Sequence, residues 1–168
     1  MPNILNPVLR IVQILPLLIA TALLGNVRAN TQHAAAGATA AINFAIFVCV
    51  LSWIVLLYSL LAHFFTALAV PIITLTADTS ATVFTFISAI ILSAKLTSVN
   101  CADWGTKPSD WIAFGSSNTE KRCREIQAGL VFTWLLFATF AVALTLTLRD
   151  LRRSGGSVRG PSMSQIGV

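Results

Sequence analysis

The sequence predicts an all-α integral membrane protein built as a four-transmembrane-helix antiparallel bundle. Three observations carry this. Four apolar stretches, at 8–27, 41–62, 68–94 and 128–148, are each long enough to cross a bilayer. A span needs about 20 mostly apolar residues, because the hydrocarbon core is about 30 Å thick and a helix rises 1.5 Å per residue. The chain is 56% hydrophobic and only 10% charged, whereas a soluble domain averages about 25% charged. Finally, the stretches are joined by one short loop, one tight turn and one longer loop, so successive spans run antiparallel. Backbone groups in lipid must be satisfied within the segment, so each stretch should be helical.

The first stretch carries one charge, Arg10, near its start, with Gln13 and Pro16 interrupting its apolar run. Read alone it could be a cleaved signal peptide, with Arg10 as the basic region and Val27-Arg28-Ala29 as a faint cleavage site. Its apolar run is long for that role. Residues 28–40 form an Ala-rich loop. The second stretch has no charge, and its Cys49 reads as an inert buried hydrophobe. Residues 63–67 form a tight turn. The third stretch holds a single acid, Asp78, near its middle. Residues 95–127 form the one long loop, and the fourth stretch again has no charge. Residues 149–168, rich in Ser, Gly and Arg, read as a disordered tail.

Asp78 is the sharpest single residue. Near the bilayer midplane a charge costs about 2.5–3.5 kcal/mol on insertion scales. Desolvation there favours the neutral acid, and no basic side chain within the spans is an obvious partner. The expected role is a hydrogen bond that fixes packing, and the competing one is a proton relay or a polar-lipid contact. Gln13, Asn43 and Ser52 are the polar side chains that could converge on it, although they lie at different depths. In the same span Ala77, Ala81, Thr85, Ala89 and Ser93 recur every four residues. Such a stripe lets helices approach closely, either inside the monomer or between copies. Thr139, Ala143 and Thr147 make a weaker stripe in the fourth span.

Cys101 and Cys123 bracket a segment of the long loop, each near a span end. They can meet as a disulfide, which needs an oxidising compartment; the alternative is two free cytoplasmic thiols. Counting Lys and Arg does not orient the bundle, with five on the terminal side and six on the other. A Cys101–Cys123 bridge would make the long loop extracellular or luminal and both termini cytoplasmic. Trp104, Trp111 and Phe114 in that loop are either interfacial anchors or a small core beneath the bridge. Arg149, Arg152, Arg153 and Arg159 form a thin basic tail, each base near the surface contributing about 1 kcal/mol toward an anionic leaflet.

Several function classes are disfavoured. The net charge of +5 is spread over span edges and the tail rather than one face, which is no nucleic-acid footprint. The sequence has no Cys-x-x-Cys, no His-Glu-x-x-His, no Gly-x-Ser-x-Gly and no phosphate loop. No enzyme chemistry, cofactor or metal is therefore expected.

The order of several short motifs resembles a known family. They are Asn30-Thr31-Gln32-His33 after the first span, Asn43 opening the second, Leu68-Ala69-Val70-Pro71, Asp78, and Val83-Phe84-Thr85-Phe86. Cys101, Arg122-Cys123-Arg124, Gln127-Ala128 and a terminal Ser164-Gln165 follow. In this order and spacing the chain resembles the fungal non-classical export protein 2 family of four-span MARVEL-domain membrane proteins. The resemblance implies a MARVEL-like fold and a structural organiser of lateral domains in the plasma membrane. It further implies eisosome-type protein partners, sphingolipid responsiveness and a link to non-classical export. Membrane lipids, sphingolipid or anionic, and further copies of the chain are the other expected partners. A small transporter or channel subunit using Asp78 on a polar pathway is the alternative.

Overall fold

The computed structural model describes residues 5–65, 70–97 and 100–153. Four helices follow one another: α1 (Leu5–Ala29), α2 (Ala36–Phe64), α3 (Pro71–Leu96) and α4 (Thr119–Arg153). All four are long and apolar enough to cross a membrane. Residues 66–69, within the expected turn and the start of the third span, lie outside the described residues, as does the tail from 154 with Arg159 and Ser164-Gln165.

The helix bounds differ from the predicted spans for local reasons. α2 begins at Ala36 instead of 41, because alanine is the best helix former and the loop before it is Ala-rich. α3 opens with Pro71 at its first position, where a missing N–H costs nothing. It ends on Thr97, whose left-handed backbone (φ 49°) lets its N–H return to Ser93 O. α4 begins at Thr119, inside the predicted long loop. Asn118 caps it, its Oδ1 accepting from Lys121 N–H at 3.0 Å, and Glu120 adds a carboxylate to the first turn. At 35 residues α4 is about 52 Å long, more than the hydrocarbon core requires. Its other end runs on to Arg153, which corrects the expectation of a disordered tail from 149.

The helices form a ring in chain order, each packing on its two neighbours, with α4 closing onto α1. α1 and α3 face each other across the diagonal and run in the same direction. The start of α1 and the end of α4 therefore lie at one end of the bundle. The core combines larger groups such as Leu17, Leu24, Leu92, Leu136 and Phe140 with small ones such as Ala20, Ala45, Ala81 and Ala143. Ile11, Leu15, Ile54 and Val131 are more than half exposed, as side chains that face lipid should be. Gly129 marks a close approach of α4 to α1, since a Cβ there would lie 3.1 Å from Leu24. α1 contributes Leu17, Ala20, Leu24 and Val27 to this core, so it is packed as a structural span.

Candidate functional site

At the end where α1 starts and α4 finishes, the four helices surround a cavity of about 360 Å³. Asn6, Pro7 and Arg10 of α1, Ser59 and His63 of α2, Pro71 and Thr74 of α3, and Thr147 and Asp150 of α4 line it. These residues lie in the outer turns of their helices, so the cavity is a vestibule at this end of the bundle.

Arg10, which lines the cavity, belongs to a buried ion pair. Arg10 Nη2 donates to both carboxylate oxygens of Asp78 at 2.6 Å, and the two side chains are 3% and 0% exposed. Arg10 Nη1 donates to Gln13 Oε1 at 3.4 Å, one turn along α1. Thr147 Oγ1 of α4 donates to Asp78 Oδ2 at 3.1 Å. Three helices thus converge on one carboxylate, and the central contact crosses the bundle diagonal.

This corrects the expectation of an Asp78 without a basic partner: Arg10, whose guanidinium is always charged, is paired with it in the interior. The depth of Asp78 also differs from the expected midplane. Asp78 lies about 10 Å from the start of α3, a helix about 39 Å long, so it sits well toward the terminal side. Of its expected polar companions only Gln13 reaches the site. Asn43 Oδ1 accepts from Arg28 Nε at 2.8 Å near the opposite end, and Ser52 donates to Val48 O. Thr82 donates to the backbone carbonyl of Asp78, not to its carboxylate.

Beyond the ion pair the bundle closes. Leu17, Leu136 and Phe140 are at most 1% exposed and fill the interior. The small-residue stripe belongs to this packing: Ala81, Thr85 and Ala89 are buried inside the monomer, and Ala77 and Ser93 are half-buried. Ser88 Oγ is also buried and has no hydrogen-bond partner among the described residues.

The opposite end is fastened differently. Cys101 and Cys123 form a disulfide that ties the long loop to α4. Beneath it Trp111, Ile112 and Ala113 are buried, and Trp111 Nε1 donates to Leu96 O at 2.7 Å, satisfying a carbonyl at the end of α3. Phe114 stacks edge-on against Trp111. These two aromatics form a small loop core, while Trp104 is half exposed. Lys107 lies over the Trp111 ring at 5.9 Å. Arg122 is 3% exposed and clamps this end. Its Nη1 donates to Thr31 Oγ1 (2.8 Å) and Val27 O (3.3 Å), and its Nε donates to Ile112 O (3.3 Å). Gln32 N–H donates to Gly115 O at 2.8 Å, joining the two loops. Gly115 is required there: its φ is 100°, and a Cβ would fall 2.7 Å from Ala34.

Arg149 and Arg152 are exposed on the last turns of α4. Arg153 ends the helix, and Arg159 is outside the described residues. Sequence reading alone does not select Arg10, Thr147 or Arg122 as site residues. A usable signal exists for the first: α1 and α3 are parallel, and Arg10 and Asp78 lie similar distances from their helix starts.

Against known proteins, the model of the MARVEL family, a membrane-associating domain, matches residues 4–146. The chain is 28% identical over 149 residues to non-classical export protein 2 homolog 1 of Saccharomyces cerevisiae, covering 88% of this chain and 81% of the yeast protein. No solved structure matches. Four spans in ring order, a closed interior and a family match over most of the length agree: the chain belongs to the MARVEL family of membrane-associating domains.

Proposed function

We propose that this protein is a structural organiser of lateral domains in the plasma membrane, acting by shape and packing without catalysis. The observation that carries the reading is the closed bundle interior beyond the Arg10–Asp78 pair, in a chain of a membrane-associating family. A carrier needs a polar route across the membrane; here Leu17, Leu136 and Phe140 fill the interior beyond the ion pair. The name of the yeast relative connects it to non-classical export, and we extend that link to this chain. Eisosome-type partners and sphingolipid responsiveness complete the reading. The Cys101–Cys123 bridge needs an oxidising side, so we place the long loop outside and both termini in the cytoplasm.

A fluorescently tagged full chain in a fungal cell tests the function. Stable surface patches that redistribute when sphingolipid synthesis is blocked are expected. Uniform rim staining under both conditions would remove the organiser reading. Protease treatment of intact cells carrying a C-terminal tag tests the orientation, and digestion of the tag from outside would invert it.

A further inference from the structure

The vestibule gathers hydrogen-bonding groups from all four helices. Asn6 Oδ1 and Ser59 Oγ are buried with no partner among the described residues. Thr74 commits its hydroxyl proton to Val70 O. Thr147 directs its single proton toward Asp78 Oδ2 and Ala143 O, each at 3.1 Å. A hydroxyl has one proton and two lone pairs, so toward a ligand both threonines act as acceptors. Arg10 directs Nη2 to Asp78 and Nη1 to Gln13. The cavity therefore offers four oxygens that can accept, one from each helix, and the unpartnered Ser59 hydroxyl can also donate. The charges of Arg10 and Asp78 compensate each other.

We propose that the vestibule binds a primary ammonium group. An ammonium brings three N–H donors and no acceptor, which complements Asn6 Oδ1, Ser59 Oγ, Thr74 Oγ1 and Thr147 Oγ1. Burying polar atoms without partners costs free energy, and a ligand donating to Asn6 and Ser59 removes that cost. The volume of about 360 Å³ falls in the range of small-molecule pockets, about 300–1,000 Å³. Leu60, Ala62 and Leu151 supply apolar wall for a stem. The amine can arrive on an aminophospholipid in the leaflet or as a free small amine from water. This inference stands apart from the organiser reading.

The test places the full chain in nanodiscs of equal phosphatidylethanolamine and phosphatidylcholine, then measures the lipid retained after delipidation by native mass spectrometry. The two headgroups carry the same charge, but the second has no N–H donor. At least tenfold enrichment of phosphatidylethanolamine is expected. Ser59→Leu and Asn6→Leu should each abolish it, and Ser59→Thr should keep it. Helicity and the Cys101–Cys123 bridge on a non-reducing gel report folding, and only folded variants are scored, with Ser59→Ala as the milder replacement. Titration of ethanolamine into the chain in phosphatidylcholine nanodiscs separates the sources: saturable binding assigns a free amine, and enrichment without it assigns the lipid. Equal retention of both lipids together with no ethanolamine binding overturns the proposal, as does enrichment that survives in both folded leucine variants. Loss of surface patches with enrichment intact would count against the organiser reading alone.

Discussion

Breaking the Arg10–Asp78 pair from one side should destabilise the bundle far more than removing it whole. Asp78→Leu deletes both contacts from Arg10 Nη2 and the acceptor of Thr147 Oγ1, and leaves a guanidinium that is 3% exposed without a counter-charge. Asp78→Asn keeps an acceptor but leaves the same uncompensated charge. Removing one partner of a buried ion pair costs about 3–5 kcal/mol. Here the vestibule offers relief. Arg10 lies about 8 Å from the start of α1 and lines the cavity, so its side chain can extend toward the headgroups. That places both single variants near the lower figure, about 3 kcal/mol or somewhat over a hundredfold in the unfolding constant. The hydrogen bond from Thr147 contributes little of it, since helix–helix hydrogen bonds in membranes average about 0.6 kcal/mol.

The double variant Arg10→Met/Asp78→Leu replaces the pair with apolar groups of similar volume. Its stability should lie within about 1 kcal/mol of the parent, because an apolar replacement also removes the desolvation cost. Unfolding in mixed micelles by titrated dodecyl sulfate, followed by tryptophan fluorescence, gives all four corners of the cycle. Arg10→Met alone strands the carboxylate in the same way, so with about 3 kcal/mol lost in each single variant and at most about 1 kcal/mol in the double, a coupling energy of about 5 kcal/mol is expected. Additive losses, or an Asp78→Asn variant as stable as the parent, would refute the pairing and restore a neutral, packing-only carboxyl.

Three further outcomes concern the opposite end. Cys101→Ser/Cys123→Ser removes a bridge across a sequence separation of 22 and should cost about 3 kcal/mol on the chain-entropy model; labelling of both thiols in unreduced membranes would show that no bridge forms. Gly115→Ala should cost about 2 kcal/mol or more, from its positive φ and the contact with Ala34. Faster proteolysis of the 100–118 loop reports it, and unchanged protection would contradict the geometry. Arg122→Met leaves Val27 O, Ile112 O and Thr31 Oγ1 without their donor and should cost about 1–3 kcal/mol. The same titration reads the loss, and a stability equal to the parent would deny the clamp.

Much of the fold is legible because a bilayer imposes length and apolarity on each span, and both are one-dimensional properties. The four stretches, their antiparallel order and the bracket of Cys101 and Cys123 need nothing beyond that. Boundaries read less well. The first turns of α4 are Thr119-Glu120-Lys121-Arg122, polar residues that an apolarity criterion assigns to a loop, whereas Asn118 capping and the disulfide make them helix. Pairing across the bundle is the hardest to read. Arg10 lies near the start of its span, where a base ordinarily anchors a helix to headgroups, so it reads as an edge charge. Only the ring order, which puts α1 and α3 on a diagonal and parallel, gives Arg10 and Asp78 a common depth. The role of the Ala77–Ser93 stripe is likewise a question of facing, and the burial of Ala81, Thr85 and Ala89 answers it for the monomer.

The two ends of the bundle use different devices, and the difference bears on how such a protein can respond to its membrane. At the loop end a covalent bridge, a buried arginine bonded to carbonyls and an aromatic core hold α1, α3 and α4 in one arrangement. None of these contacts depends on what surrounds the bundle. At the terminal end the fastening among the described residues is an ion pair beside a polar vestibule, with Asn6 Oδ1, Ser59 Oγ and Gln13 Nε2 buried and without partners among those residues. Electrostatic contacts near such a cavity change strength with whatever fills it, because the local dielectric sets their magnitude. Changes in headgroup composition should therefore move the outer turns of α1 and α3 more than the loop end. Hydrogen exchange in nanodiscs of different lipid would show this as altered protection in the first turns of those helices, with protection around Trp111 and Arg122 unchanged. A uniform change along all four helices would mean that the bundle responds as one rigid body.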